Sequence, residues 1–252
     1  MTMRARAIAI TAAAAYLVFL VALVPASFVA ERVAAATEGR VALANAGGTL
    51  WHGSARIRLT LAGGWLDLDS LEWRFDPARL VAGRLAFDVK AMAQGLDAQV
   101  QVARAFSGWE LRDAALRATV ASLATLAPVA ARWRPEGRLN ATTPLWQWND
   151  RGARGEAAIE WREASLSLSD VKPIGSYRIV ATGDGAIARL AVTTIDGPLT
   201  VSGKGSAGPA QITFSGEAHA EGSTAKALEP LLDLMGPRRP DGARAVELRI
   251  VM

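Results

Sequence analysis

The chain has 252 residues, 51% hydrophobic and 21% charged, with 24 Arg against 4 Lys, no cysteine and a formal net charge of +4. That is too apolar for disorder and long enough for one sizeable β domain or two small coupled ones. Without cysteine there are no disulfides and no thiolate metal sites, which suits an oxidising compartment. The arginines are scattered singly along alternating stretches, as at Arg56 and Arg58, and read as a solvated strand face rather than a nucleic-acid surface.

The first predicted element is an anchor. No residue from Ala7 to Ala30 is charged, and Ile8–Val24 is almost wholly apolar, whereas a spanning helix needs about 20 such residues. Arg4, Arg6 and the amino terminus precede the run, while Glu31 and Arg32 cancel after it. The positive-inside rule then predicts residues 1–6 as a cytoplasmic tail, 7–30 as a transmembrane anchor and 31–252 as an exported β-rich domain. The competing reading is a cleaved signal peptide, with Val24-Pro25-Ala26 and Phe28-Val29-Ala30 as cleavage-like strings. The run exceeds the ~7–15 residues of a signal core, which favours a retained anchor.

Past the anchor, period-two alternation dominates. Ile57, Leu59 and Leu61 alternate with Arg56, Arg58 and Thr60; Leu85, Phe87 and Val89 alternate with Arg84, Asp88 and Lys90. Similar stretches recur at Leu96–Val102, Ala157–Trp161, Leu199–Val201, Ile212–Phe214 and Val246–Met252, broken by turn signals such as Asp76-Pro77 and Gly183-Asp184-Gly185. This predicts a sheet with one apolar and one wet face. Leu66 and Leu68 are even, but Leu71, Trp73 and Phe75 are odd, so a bulge or bend is expected near Asp69-Ser70.

Two segments leave the strand rhythm. In Ser223–Gly236, the residues Leu228, Leu231, Leu232 and Met235 lie on one helix face. Ser223 suits an N-cap, Gly236-Pro237 a stop, and Pro230 suggests that the regular part begins near Glu229. A weaker stripe runs through Ser122–Trp133. Each segment leads to an Arg-Pro-acid-Gly turn (Arg134–Gly137, Arg239–Gly242) and a strand; Leu71-Glu72-Trp73-Arg74 is echoed by Ile159-Glu160-Trp161-Arg162. These echoes suggest an internal duplication, with halves about 47–143 and 157–252; chance recurrence of short strings is the competing reading. The fold class expected is therefore mainly β: a transmembrane helix, then a long curved antiparallel meander with two short helices.

Catalytic machinery is not found. His52 and His219 are far apart and lack metal-ligand spacing. Ser223-Thr224-Ala225-Lys226 matches a Ser-x-x-Lys string, but the companion motifs of that chemistry do not follow. Phosphate loops and dinucleotide fingerprints are also missing. The expectation is no enzyme, no metal and no cofactor.

The string Gly47-Gly48-Thr49-Leu50-Trp51-His52-Gly53-Ser54-Ala55, a short distance past the anchor, resembles protein N of the bacterial type II secretion system. Asp196-Gly197-Pro198-Leu199, Phe214-Ser215-Gly216-Glu217-Ala218 and Leu234-Met235-Gly236 extend the resemblance. It implies a single-pass inner-membrane accessory subunit, with its bulk in the periplasm, its partners other secretion-system subunits, and no active site required. The family also looks akin to AsmA-like envelope proteins, which gives the alternative of a lipid-binding or lipid-bridging protein.

Three expectations follow for sites. Gly48, Thr49, Leu50, Trp51 and Gly53 form a structural turn in which Trp51 seals an end of the core, so that Trp51→Ala costs on the order of 3–5 kcal/mol. Val246, Leu248 and Ile250 lie on a candidate edge strand, with internal pairing as the competing reading. The apolar side of the sheet either encloses its own side chains, with the two helices plugging the ends, or holds lipid in a trough.

Overall fold

The structure, a computed structural model, describes residues 22–61, 64–124, 132–208, 211–220, 222–240 and 242–251, with a few single positions between 12 and 20. Most of the expected anchor, and residues 125–131 of the second expected helical segment, lie outside the described residues. Among the described residues no helix is long and apolar enough to cross a membrane.

Thirteen strands among the described residues form one antiparallel sheet in strict chain order: β1 (Val41–Gly48), β2 (His52–Leu61), β3 (Gly64–Asp76), β4 (Leu85–Ala93), β5 (Leu96–Ala105), β6 (Gly108–Thr119), β7 (Glu136–Asn149), β8 (Gly152–Ser165), β9 (Gly175–Gly185), β10 (Ala188–Asp196), β11 (Leu199–Ala207), β12 (Gln211–Ala220) and β13 (Arg244–Val251). The meander read from period two is therefore correct, and the strands run longer than their clearest alternating cores. The order ends on β1 and β13, so the sheet is open with two edges. The bulge expected near Asp69-Ser70 falls there: Ala55 pairs Leu71 and Ile57 pairs Leu68, which leaves one extra residue in β3.

Three α-helices flank strands of the sheet. α1 (Ala26–Ala36) precedes β1; α2 (Val120–Ala124) follows β6; α3 (Ala225–Met235) follows β12. α1 begins inside the expected anchor segment. Leu23–Pro25 are not helical, Pro25 is extended (φ −71°, ψ 148°), and a new helix starts at Ala26 and runs past Ala30 to Ala36. Proline lacks an N–H and biases the residue before it away from helix, so it ends one helix and precedes the next. α2 begins two residues before Ser122, whose hydroxyl donates to Thr119 O at 2.8 Å and Gly95 O at 3.2 Å. α3 corrects two expectations. Ser223 sits inside a 3-10 turn (Gly222–Thr224) rather than capping, and Pro230 lies inside the helix rather than in its first turn. Asp76-Pro77, expected as a turn, opens a 3-10 helix over Pro77–Ala82 that Asp76 caps.

Register shows apolar rows that each cross five strands on one face. One row reads Phe75, Phe87, Val102, Leu111, Trp146; another reads Leu96, Ala118, Leu139, Trp161, Tyr177. Among the described residues α2 and α3 cover one end of this face. One cluster joins Ile57, Leu68, Leu96 and Ala118 with Leu123 of α2. The other joins Ala164, Ile174, Tyr177, Leu199 and Ala218 with Leu228, Leu231 and Leu232 of α3. Even-numbered strands all finish at the same end of a meander, so α2 and α3 cover that end together instead of plugging opposite ends. Toward the other end the face stays half-exposed, with Ile159 still 38% exposed. The total accessible surface is 16,096 Å², against about 10,700 Å² for a compact chain of this mass. The sheet is a one-layer trough, and the expected self-enclosed interior is not present among the described residues.

Candidate functional site

The Gly48–Gly53 hairpin gathers the features of a site, and its function is mechanical. Gly48 pairs Gly53 across β1–β2. Gly48 has φ +87°, and a Cβ there would lie 2.4 Å from His52 O; only glycine fits that left-handed backbone cheaply. Thr49 Oγ1 accepts from the backbone N–H of Trp51 (3.3 Å) and His52 (3.2 Å), while Thr49 N–H donates to His52 O at 2.9 Å. Gly53 sits under an indole, since a Cβ there would come within 2.5 Å of Trp73 Cζ2. That ring reaches across to donate from Nε1 to Leu50 O (3.1 Å) and Thr49 O (3.2 Å). Trp51 is half-buried, its ring 4.8 Å from Phe75, whose N–H donates to Trp51 O at 2.6 Å; Phe75 in turn lies 5.5 Å from Phe87.

This hairpin holds the base of the N-terminal segment. Leu50 N–H donates to Val24 O at 2.8 Å, and Pro25 bridges Thr49. α1 then runs back beside β1, burying Ala26, with Val29 and Val33 half-buried. The turn residues Gly48, Thr49, Leu50, Trp51 and Gly53 are thus brought together, and they form a clasp. Sequence reading missed Val24, Pro25 and Trp73 as its other half. Pro25 was legible as a helix breaker, but nothing local announces contacts 23 to 26 residues away.

The C-terminal strand lies at the far edge. β13 pairs β12 through Val246↔Gly216, Leu248↔Phe214 and Ile250↔Ile212. Its first residues are covered on the outer side, because Ala245 N–H donates to Pro237 O at 3.1 Å and Arg238 bridges Arg244. Beyond them, Val246 packs on the C-terminal cluster and Leu248 is exposed. On α3, Leu228, Leu231 and Leu232 are buried and Met235 packs beside them.

The polar face carries ion pairs rather than reactive groups. Arg58 donates twice to Asp67 (2.7 and 3.0 Å), and Glu160 accepts from both Arg162 and Arg178. Glu110 is buried there, accepting from Gln147 at 2.9 Å and Arg112 at 2.6 Å, with Arg84 at 3.8 Å. Burial pushes its carboxyl up. The bonds from Gln147 and Arg112 and the charges of Arg112 and Arg84 outweigh that, and hold it below the ordinary range. A cavity of about 440 Å³ on this face is lined by His52, Glu72, Arg74, Asp88, Lys90 and Asp113, three carboxylates beside two cations. His52 and His219 lie on β2 and β12, and no group of three or more His, Asp or Glu among the described residues could hold a metal.

The fold and the clasp define a class: a one-layer meander protein fastened at its first hairpin to an apolar N-terminal segment. Within that class the family can be stated. The sequence matches the family described as type II secretion system (T2SS), protein N, over residues 39–247, and the chain belongs to it. No curated protein and no solved structure matches the chain significantly. Family membership makes the chain a secretion-system component, with other subunits of that system as partners.

Proposed function

We propose that this protein is a non-catalytic, single-pass inner-membrane subunit of the type II secretion system that supports export of folded proteins across the outer membrane. The clasp carries the reading. A bilayer-embedded segment that merely trailed from a domain would need no bonded seam, yet Val24 and Pro25 are fastened to Leu50 and Thr49. The span itself is taken as residues 7–24, uncharged and at 1.5 Å per residue close to the hydrocarbon thickness. Tyr16, Phe19, Leu20 and Leu23, on its described part, all expose apolar side chains. The sheet then lies in the periplasm and acts through contacts, in which the open part of β13 is a candidate for strand addition by a partner.

Protease added to spheroplasts should digest the domain and leave the anchor, and in-cell cross-linking from β13 should capture inner-membrane secretion subunits. Deleting the gene should reduce export of folded enzymes without a general envelope defect. A mature protein starting near Ala26 or Glu31, or unchanged export, would sink the proposal.

One observation favours a second reading. Away from α2 and α3 the apolar face is half-exposed among the described residues, as expected of an AsmA-like lipid-binding protein. Normal secretion with failed outer-membrane lipid asymmetry in the deletion strain would replace the first reading with this one.

The element order also supports the duplication: six strands and a helix (β1–β6, α2), six strands and a helix (β7–β12, α3), then β13. The Trp73 and Trp161 echo does not follow this period, since it falls on the third and second strands of the two units. An experimental structure whose two units failed to superpose would remove the idea.

A further inference from the structure

Exposed apolar side chains sit on three of the hairpin turns at the clasp end of the sheet. Val81 on the β3–β4 connection is 94% exposed and Phe106 on the β5–β6 turn is fully exposed, with Leu80 and Ile187 exposed on their own turns. Behind these tips Trp109 and Trp148 stack at 6.2 Å, both still more than a third exposed. Exposed apolar tips on successive hairpins form a patch that a monomer in water has no use for.

Charge at the same rim has one sign in excess. Asp76 pairs Arg79, Asp184 pairs Arg189, and Glu110 is satisfied by Arg112. Among the described residues Arg104 and Arg151 stand in no ion pair, and Arg154 faces Asp184, already paired with Arg189, across β8–β9; Asp150 is the other rim carboxylate. Arg104 projects from the apolar face, its guanidinium 5.2 Å from the Trp109 ring. Tryptophan and arginine together at the border of an apolar patch are the side chains that partition into the headgroup layer, rings at the boundary and guanidinium on phosphate.

Topology supplies the independent observation. In a meander the β1–β2, β3–β4, β5–β6, β7–β8 and β9–β10 turns all lie at one end, and the β1–β2 turn is the one clasped to Val24-Pro25. The apolar N-terminal segment therefore leaves the sheet at the rim that carries Val81 and Phe106. Other exposed apolar residues, such as Trp65 and Leu234, lie at the opposite end beside α2 and α3.

We infer that the hairpin rim is a second membrane contact: the tips of Leu80, Val81 and Phe106 insert at the interface of an anionic bilayer, the same bilayer that holds the N-terminal segment. The inference rests on the proposed anchoring of residues 7–24. Two contacts on one bilayer fix the sheet upright, with strands standing off the membrane and α2 and α3 at the distal end.

The cysteine-free chain allows a direct test. Full-length single-cysteine variants Val81→Cys, Phe106→Cys, Leu20→Cys, Trp65→Cys and Leu234→Cys are spin-labelled and reconstituted in vesicles of phosphatidylethanolamine and phosphatidylglycerol. Collision with oxygen and with a water-soluble nickel chelate is then measured. Labels at 81, 106 and 20 should collide severalfold more with oxygen than with nickel, and labels at 65 and 234 the reverse. An Arg104→Gln/Arg151→Gln/Arg154→Gln background should move labels 81 and 106 toward water while leaving label 20 in place. Label 20 in the bilayer with 81 and 106 as wet as 65 and 234 would overturn the rim and spare the anchor. Label 20 in water would overturn the anchor, whatever the rim does.

Discussion

Gly53 and Trp73 show how a single glycine decides a contact. The indole lies flat on the space a side chain would occupy, and its N–H closes the turn from the next strand. Gly53→Ala forces ring or backbone to move and should cost about 2–3 kcal/mol. Trp73→Phe removes both the donor and the ring atoms that lie over Gly53, and should cost about 2–3 kcal/mol. Thermal unfolding followed by circular dichroism reads both. Trp51→Ala, which full burial would put at 3–5 kcal/mol, should cost only about 2, because the ring is half-exposed and gives up less buried surface. Glu110 supplies a pH signature. Its folded carboxyl is held below the ordinary range, so its stabilisation is complete above about pH 4.3 and is lost as pH falls through the lower folded value. Glu110→Gln should destabilise by about 1–3 kcal/mol at neutral pH and flatten the acid limb of the stability curve. An unchanged acid limb would mean that other carboxylates carry it.

At the scale of elements, α3 combines its best anchor with a local conflict. Leu228 is fully buried against Ala218 and Leu199, so Leu228→Ala should cost about 3–4 kcal/mol and loosen the C-terminal cluster. Pro230, two residues on, cannot donate within the helix. Replacing it with Ala should stabilise, by up to about 3 kcal/mol if the backbone relaxes. Chemical denaturation of both variants tests the pair: opposite shifts are expected, and a destabilised Pro230→Ala would show that the proline packs something essential. The same element shows what periodicity can reach. Its apolar face was legible because Leu228, Leu231 and Leu232 repeat at helical spacing. Its start was not, since Ser223 has cap chemistry but the chain enters through a 3-10 turn whose geometry no single residue encodes.

For the whole molecule, the decisive quantity is the surface left uncovered. A chain exposing half as much again as a compact one should unfold with a shallow dependence on urea, because the m-value follows the area newly exposed. Tryptophan fluorescence in urea gives that slope, and a value typical of a compact chain of 252 residues would mean that something covers the trough. Gently extracted protein examined by native mass spectrometry separates the candidates: bound phospholipid favours the lipid reading, and an associated secretion subunit favours the first.

The sequence by itself determined the meander, because period two and regularly spaced turns act locally and leave antiparallel neighbours as the only short connection. It also determined the bulge in β3, a parity change from Leu68 to Leu71 that nothing else absorbs, and the family, through glycine and tryptophan strings whose spacing is itself the signal. Tertiary structure alone decided that Val24-Pro25 is bonded to Thr49-Leu50, that Trp73 rather than Trp51 closes the hairpin, and that both helices cover one end of the sheet. Those are contacts between residues about 25 or more apart, set by strand register and by which end each connection reaches. Whether the apolar face is closed was likewise beyond the pattern, since alternation says which side chains share a face and is silent on what lies above them.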